Sequence, residues 1–152
     1  KDVGAYSFRG LAKYYLEDYR DAITDFTISI ELNPKFAEAY TNRGMAKYYL
    51  EDYKGAIADF TKAIELYPNY FNAYYNRGLA KGELEDFRGA VADYDKTIEL
   101  NPKDADAYYN RGFAKANLEN FNDAISDYTK AIELKPDNAE AYYFRNETQP
   151  IT

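Results

Sequence analysis

Arg9, Arg43, Arg77, Arg111 and Arg145 stand 34 residues apart, and Lys13, Lys47, Lys81 and Lys115 follow the first four at i+4. Asp25, Asp59, Asp93 and Asp127 keep the same step. A guanidinium, an ammonium and a carboxylate in fixed register can do two kinds of chemistry. They can neutralise one another as an ion-pair network, or they can hold a charged ligand or ion. Two cations at i, i+4 on a helix repel, so a compensating charge is expected. Each Asp lies three residues after a small Ala (Ala22, Ala56, Ala90, Ala124), on the face a second helix turns toward the first. The preferred reading is a ladder of Arg–Asp–Lys groups between packed helices, with a ligand site as the minor alternative. Desolvation opposes the Coulomb gain of such pairs, so fixing helix register is their expected role. Glu31, Glu65, Glu99 and Glu133 also repeat, but their helical phase points them to solvent.

Acid pairs such as Glu17–Asp18 and Glu51–Asp52 have the composition for general acid/base work. They fall at turns between helices, where capping explains them. The chain has no His, Cys or Trp. The commonest nucleophile–base pairs are therefore missing, as are most zinc and iron ligands. No Gly-rich phosphate loop or nucleophile elbow is present. Catalysis, metal and cofactor are not expected. The net charge of −7 makes nucleic acid and anionic membranes poor partners. No apolar run is long enough to cross a bilayer, and no signal peptide is visible. The chain opens on Lys, so an excerpt or a processed chain is expected.

The elements that must position these charges follow from the same period. Pro34, Pro68, Pro102 and Pro136 are 34 residues apart, as are Gly10, Gly44, Gly78 and Gly112. The string AYYNRG occurs at Ala73–Gly78 and again at Ala107–Gly112. Aromatics recur at Tyr6, Tyr40, Tyr74, Tyr108 and Tyr142, and at Phe26, Phe60, Tyr94 and Tyr128. Within a unit, Tyr40, Gly44 and Lys47 share one helical face, and Ala56, Ile57, Phe60, Ala63 and Ile64 mark another. Asp52 sits where a helix N-cap belongs, and Pro68 blocks continuation. The pattern predicts first helices near 3–16, 37–50, 71–84 and 105–118. It predicts second helices near 19–32, 53–66, 87–100 and 121–134, and a short final helix from about 139, ending before Pro150. One helix pair cannot bury both apolar faces, so stacking of neighbouring pairs is expected. Gly44 and its equivalents belong on a packing face, where a missing Cβ allows close approach.

The unit exemplified by Tyr40, Gly44, Ala56, Phe60, Ala63 and Pro68 resembles the tetratricopeptide repeat, and the resemblance covers almost the whole chain. It implies an all-α fold, a right-handed superhelical solenoid of stacked antiparallel helix pairs. Residues 1–152 then form one domain, with repeats at 3–36, 37–70, 71–104 and 105–138 and a partial, capping helix at 139–149. There are departures. Tyr stands where the family often has Trp, Ser29 and Thr97 replace a small Ala, and Lys13, Lys47, Lys81 and Lys115 stand where the family favours an aromatic.

The resemblance further implies a concave groove, lined by first helices, for a protein or peptide. Carried over position by position, the groove residues are Thr41, Tyr75 and Tyr109; Asn42, Asn76 and Asn110; Met45, Leu79 and Phe113; and Tyr48 with Tyr49. An Asn ladder can pair with an extended peptide backbone, since an amide both donates and accepts. Ordinary solvated Asn is the equally weighted alternative. Family members that grip acidic C-terminal tails use a clamp of Lys, Asn and Arg. Here Ser7 and Asn72 stand at its lysine positions and Leu11 at its first Asn, with only Asn42 matching; shifted by one repeat, Thr41, Met45 and Asp106 break it. Glu38, Glu83, Asp106 and Glu140 instead favour a ligand with basic and apolar residues. Two other readings are self-association through the terminal helices, where Tyr142, Tyr143 and Phe144 lie, and service as the targeting module of a larger enzyme.

Overall fold

Four prolines stop four helices by restricting the residue before them. Asn33, Tyr67, Asn101 and Lys135 each precede a Pro and are extended, with φ between −136° and −140° and ψ between 83° and 90°. The computed structural model describes residues 2–148, and every regular element among them is an α-helix. The helices are α1 (Val3–Tyr15), α2 (Tyr19–Leu32), α3 (Ala37–Tyr49), α4 (Tyr53–Leu66) and α5 (Phe71–Glu83). They continue as α6 (Phe87–Leu100), α7 (Ala105–Asn117), α8 (Phe121–Leu134) and α9 (Ala139–Thr148). The second helices have the bounds that the sequence predicts. Position 149, included in the expected final segment, lies outside the described residues.

The first helices end one residue earlier than the periodicity suggests, for a local reason. Glu17, Glu51, Glu85 and Glu119 are left-handed, with φ of 64°, 62°, 59° and 61°. Each allows a paired closure of the helix end. In the second repeat the N–H of Glu51 donates to Tyr48 O at 2.9 Å, and that of Asp52 to Lys47 O at 2.9 Å. The acid pairs thus divide their work: the Glu closes one helix and the next residue opens another. Asp52 and Asp86 accept from Gly55 N and Gly89 N at 3.0 Å. Asp18 makes no such bond, and its N3 residue is the like-charged Asp21.

The helices fall into two compact units, one up to Ala80 and one from Lys81, so the division lies within α5. In the first unit, α1–α2 and α3–α4 are antiparallel hairpins, and α2 packs on α3. Phe26 is fully buried with Ala22 and with Ala46 of the next hairpin; Leu11, Tyr14, Tyr19 and Ile23 close around them. Phe60 repeats the arrangement with Ala56 and Ala80, flanked by Met45, Tyr48, Tyr53 and Ile57. A ring buried in this way contributes about 1.5–3 kcal/mol. A Cβ at Gly10 or Gly44 would stand 2.9 or 2.7 Å from the rings of Phe26 or Phe60, so these rings require glycine opposite them. Ser29, where a small Ala was expected, is fully buried and its hydroxyl donates to Val3 O at 3.2 Å.

In the second unit, α7 packs antiparallel on α8, α6 packs on α7 and α9 packs on α8. Ala131, Ile132 and Ala141 form a cluster flanked by Tyr108 and Tyr109. Tyr128 is fully buried opposite Gly112, where a Cβ would meet its ring at 2.9 Å. Its hydroxyl, absent from Phe26 and Phe60, is buried without a hydrogen-bond partner. Thr97, the other departure from Ala, is fully buried with its hydroxyl on Asp93 O at 3.0 Å.

Candidate functional site

The repeated charges form the expected ladder. Arg9 Nε donates to Asp25 Oδ2 at 2.8 Å, its NH2 group meets Oδ1 at 2.5 Å, and Lys13 Nζ reaches Oδ2 at 2.9 Å. Arg43 and Lys47 hold Asp59 in the same way at 2.6–2.9 Å. Arg111 and Lys115 hold Asp127 at 2.6–2.8 Å. Lys81 Nζ lies 2.8 Å from Asp93 Oδ2. These Asp residues are 1–5% exposed, while Glu65 and Glu133 are solvent-facing and pair, among the described residues, with Lys62 and Lys130 on their own helices. Each guanidinium also lies 5.3–5.7 Å from the ring of the Tyr three residues earlier. The Arg9 guanidinium holds the Asp25 carboxyl below the usual carboxylate range, against the opposing effect of burial and with help from Lys13.

The Arg forks of the ladder also reach a third acceptor. Arg43 NH1 donates to Thr27 Oγ1 at 3.1 Å, Arg77 NH1 to Thr61 Oγ1 at 3.1 Å, and Arg111 NH1 to Asp95 Oδ1 at 2.6 Å. These acceptors belong to the preceding repeat. Thr27, Thr61, Asp95 and Thr129 recur at the 34-residue step, so the signal was present in the sequence. With its carboxylates filled by cations from inside the chain, the ladder is a structural network.

The groove residues carried over from the resemblance lie on α3, α5 and α7. In the first unit Thr41 is buried, with its hydroxyl on Ala37 O at 3.2 Å. Asn42, Tyr75, Asn76 and Leu79 are half-buried. Met45 and Tyr48 pack against the Phe60 cluster. Tyr49 is 50% exposed and stacks on Tyr19, with ring centroids 5.1 Å apart. Tyr14 bridges the same group edge-on, 5.6 Å from Tyr19 and 5.8 Å from Tyr49. Burial, and then a hydrogen bond with Tyr49, push the Tyr14 phenol upward.

In the second unit α9 lays Phe144 across the candidate residues. Its ring is 6.1 Å from Tyr109, 5.7 Å from Phe113 and 6.3 Å from Tyr128. Phe113 keeps 41% of its surface exposed. Tyr109 is half-buried, and burial together with the charge and hydrogen bond of Glu140 push its phenol up to about 12. Asn110 donates one amide N–H to Asp106 O on its own helix at 2.9 Å. Of the terminal aromatics, Tyr142 and Tyr143 are exposed, whereas Phe144 is part of the fold. No group among the described residues is arranged to hold a metal ion, and no described helix is long and apolar enough to cross a membrane.

Family models described as "Tetratricopeptide repeat" match residues 37–70, 105–138 and 60–92, and one described as "TPR repeat" matches 81–119. The chain belongs to the tetratricopeptide-repeat family. Its fold is that of the family's all-α solenoids. MamA 41-end from Desulfovibrio magneticus RS-1 is similar with a TM-score of 0.91 and 23% identity, over 96% of this chain and 82% of that one. The first TPR of Spaghetti (RPAP3), bound to an HSP90 peptide, SRMEEVD, is similar with a TM-score of 0.73 and 28% identity, over 74% and 89%. The Arabidopsis OM64 TPR domain gives a TM-score of 0.72 and 29% identity, over 74% and 93%. No curated protein matches the chain in sequence.

Proposed function

We propose that this tetratricopeptide-repeat chain is a non-catalytic interaction module. Its first helices bind an extended protein segment that carries basic and apolar residues. The observation that carries this reading is the pairing of unspent aromatic surface with carboxylates on those helices. In the first unit Tyr49 is half exposed and Glu38 is exposed. In the second, Phe113 and Tyr143 are exposed, as are Asp106 and Glu140 on the same two helices. Aromatic rings with polar tips supply contact area at low entropic cost, and carboxylates select cations. The Spaghetti domain supports peptide binding by this fold, but its ligand ends in acidic residues. The lysines of an acidic-tail clamp are replaced here by Ser7, which is buried, and by Asn72.

The test is a fluorescence-anisotropy titration with a labelled peptide library of alternating Lys/Arg and Leu/Phe, and with SRMEEVD as a counter-ligand. Basic–apolar peptides are expected to bind, and Asn76→Ala/Asn110→Ala is expected to weaken them about tenfold or more with folding intact. Preference for SRMEEVD, or unchanged affinity in the double variant, would remove the charge argument or the Asn ladder respectively.

A further inference from the structure

The end of α3 leans on the start of α2 through aromatic rings. Tyr49 stacks on Tyr19 with ring centroids 5.1 Å apart, and Tyr14 meets both edge-on. Beside this stack a cavity of about 260 Å³ opens between the α1–α2 turn and Leu50, the residue that closes α3. Its walls are Glu17, Asp18, Tyr19, Arg20, Asp21 and Leu50. Tyr19 is half-buried and Leu50 is 39% exposed, so apolar surface stays open to solvent here. The cavity lies at the junction of the first two hairpins, where α2 packs on α3.

The charges around it are unbalanced: three carboxylates, Glu17, Asp18 and Asp21, stand against the one guanidinium of Arg20. Helix capping explains why these acids are not spent on the fold. Of the four second helices, α4 and α6 have Gly at their third position and are capped by the side chains of Asp52 and Asp86. The two with Asp there, α2 and α8, have no side-chain cap. Asp21 stands one turn from Asp18, and their like charges oppose a cap. Lys13 comes only within 3.8 Å of Asp21, because Asp25 holds it at 2.9 Å. Burial, and then the charge of Glu17, push the Tyr19 phenol upward, so the field of Glu17 reaches the aromatic wall.

A partly apolar cavity under surplus carboxylates fits a cation carried on an apolar stem. Lysine and arginine have that build: their methylenes cover apolar surface while the charged head stays at the rim. An aromatic wall adds attraction for the head. We propose that this cavity receives a lysine or arginine side chain of a partner protein, its stem on Tyr19 and Leu50 and its head among Glu17, Asp18 and Asp21. A second copy of this chain, with its net charge of −7, is the wrong sign of partner. None of the lining residues is among the candidate groove residues, so the proposal stands apart from the groove reading.

The probe is the blocked tripeptide acetyl-Leu-Arg-Leu-amide, titrated into the full chain while backbone amide NMR shifts are followed. Saturable shifts are expected at residues 17–21 and 50. The citrulline form of the peptide, neutral but of the same shape, should give none at the same concentrations. Asp18→Asn/Asp21→Asn should weaken the arginine peptide at least about fivefold, and added salt should act in the same direction. Glu65→Gln/Glu133→Gln removes as much charge from α4 and α8, outside the cavity, and should leave binding within about twofold. The melting temperature of Asp18→Asn/Asp21→Asn is expected to be unchanged or higher, since two like charges are relieved, which separates lost binding from lost folding. Absence of shifts with the arginine peptide, equal shifts with its citrulline form, or unchanged affinity in Asp18→Asn/Asp21→Asn would overturn the proposal. So would spermidine binding the cavity as tightly as the peptide, which would assign it to a free polyamine instead of a protein.

Discussion

Arg43 touches three groups at once: the Tyr40 ring beneath it, Thr27 on α2 and Asp59 on α4. Its fork geometry satisfies a carboxylate in two bonds, which Lys could not reproduce. Lys47 then shares the same carboxylate at 2.7 Å and removes the repulsion expected between two cations one turn apart. Replacing Asp59 with Ala strands both cations, whose side chains are 17% and 21% exposed. The expected loss is about 3 kcal/mol, the lower end for a broken buried pair because both partners retain some solvent. Glu65→Ala removes only an exposed i, i+3 pair and is expected to cost about 0.5 kcal/mol or less. Urea denaturation of the two variants checks the contrast, and equal midpoints would show that burial of Asp59 does not matter. This rung was legible in the sequence because four copies of the same charges fix its helical phase. The Thr27 and Thr61 acceptors repeat as faithfully, but a threonine on a helix carries no charge to signal that it is needed.

At the scale of the helix hairpin, most of what positions the candidate site was visible as punctuation: Pro after the second helix, Asp or Asn at its start, and Gly on the packing face. The inter-helix turn was less legible. A left-handed residue usually announces itself as Gly, yet four Glu occupy that conformation at about 1–2 kcal/mol each relative to an unstrained site. The structure also separates the repeated packing glycines from Gly82, another glycine within a first helix. Gly44 faces the Phe60 ring at 2.7 Å, while a Cβ on Gly82 would meet nothing within 4 Å. Gly44→Ala should destabilise by about 1–3 kcal/mol through overpacking. Gly82→Ala, on α5, should stabilise by up to about 1 kcal/mol through helix propensity alone. The same chemical change with opposite signs is read from thermal melts of both variants. Destabilisation in both would mean that Gly82 is held for a reason other than open space.

For the whole molecule, repetition makes the middle readable and the last repeat opaque. Around a retained Arg145, Phe144 and Asn146 replace the Asn and Gly of the second to fourth units, and only the structure shows Phe144 folded onto Tyr109 and Phe113 while Arg145 Nε goes unpartnered. Composition, by contrast, sets a property of the entire chain. With no His and no Cys, no side chain has an ordinary pKa between the carboxylates and the phenols. Stability should therefore be flat from about pH 5 to 9, with the melting temperature constant within about 2 °C. Below this range the Asp25 carboxyl decides the sign. Its folded pKa lies below the unfolded value of about 3.9, so its contribution is complete above that value and is lost as acid protonates the folded form. Above the range the phenols act in the opposite sense. Tyr109 is raised to about 12, so its contribution is complete below an unfolded pKa of about 10 and disappears as pH climbs from there through about 12. Tyr14 and Tyr128, both raised by burial, add to the alkaline loss. Melting curves across pH 2–12 check this, alongside Asp25→Asn, which should flatten the acid limb, and Tyr109→Phe, which should flatten the alkaline one. A slope of several degrees per pH unit near neutrality would require a titrating side chain that this sequence does not contain, and would point to a pH-dependent association of the chain in place of its intrinsic stability.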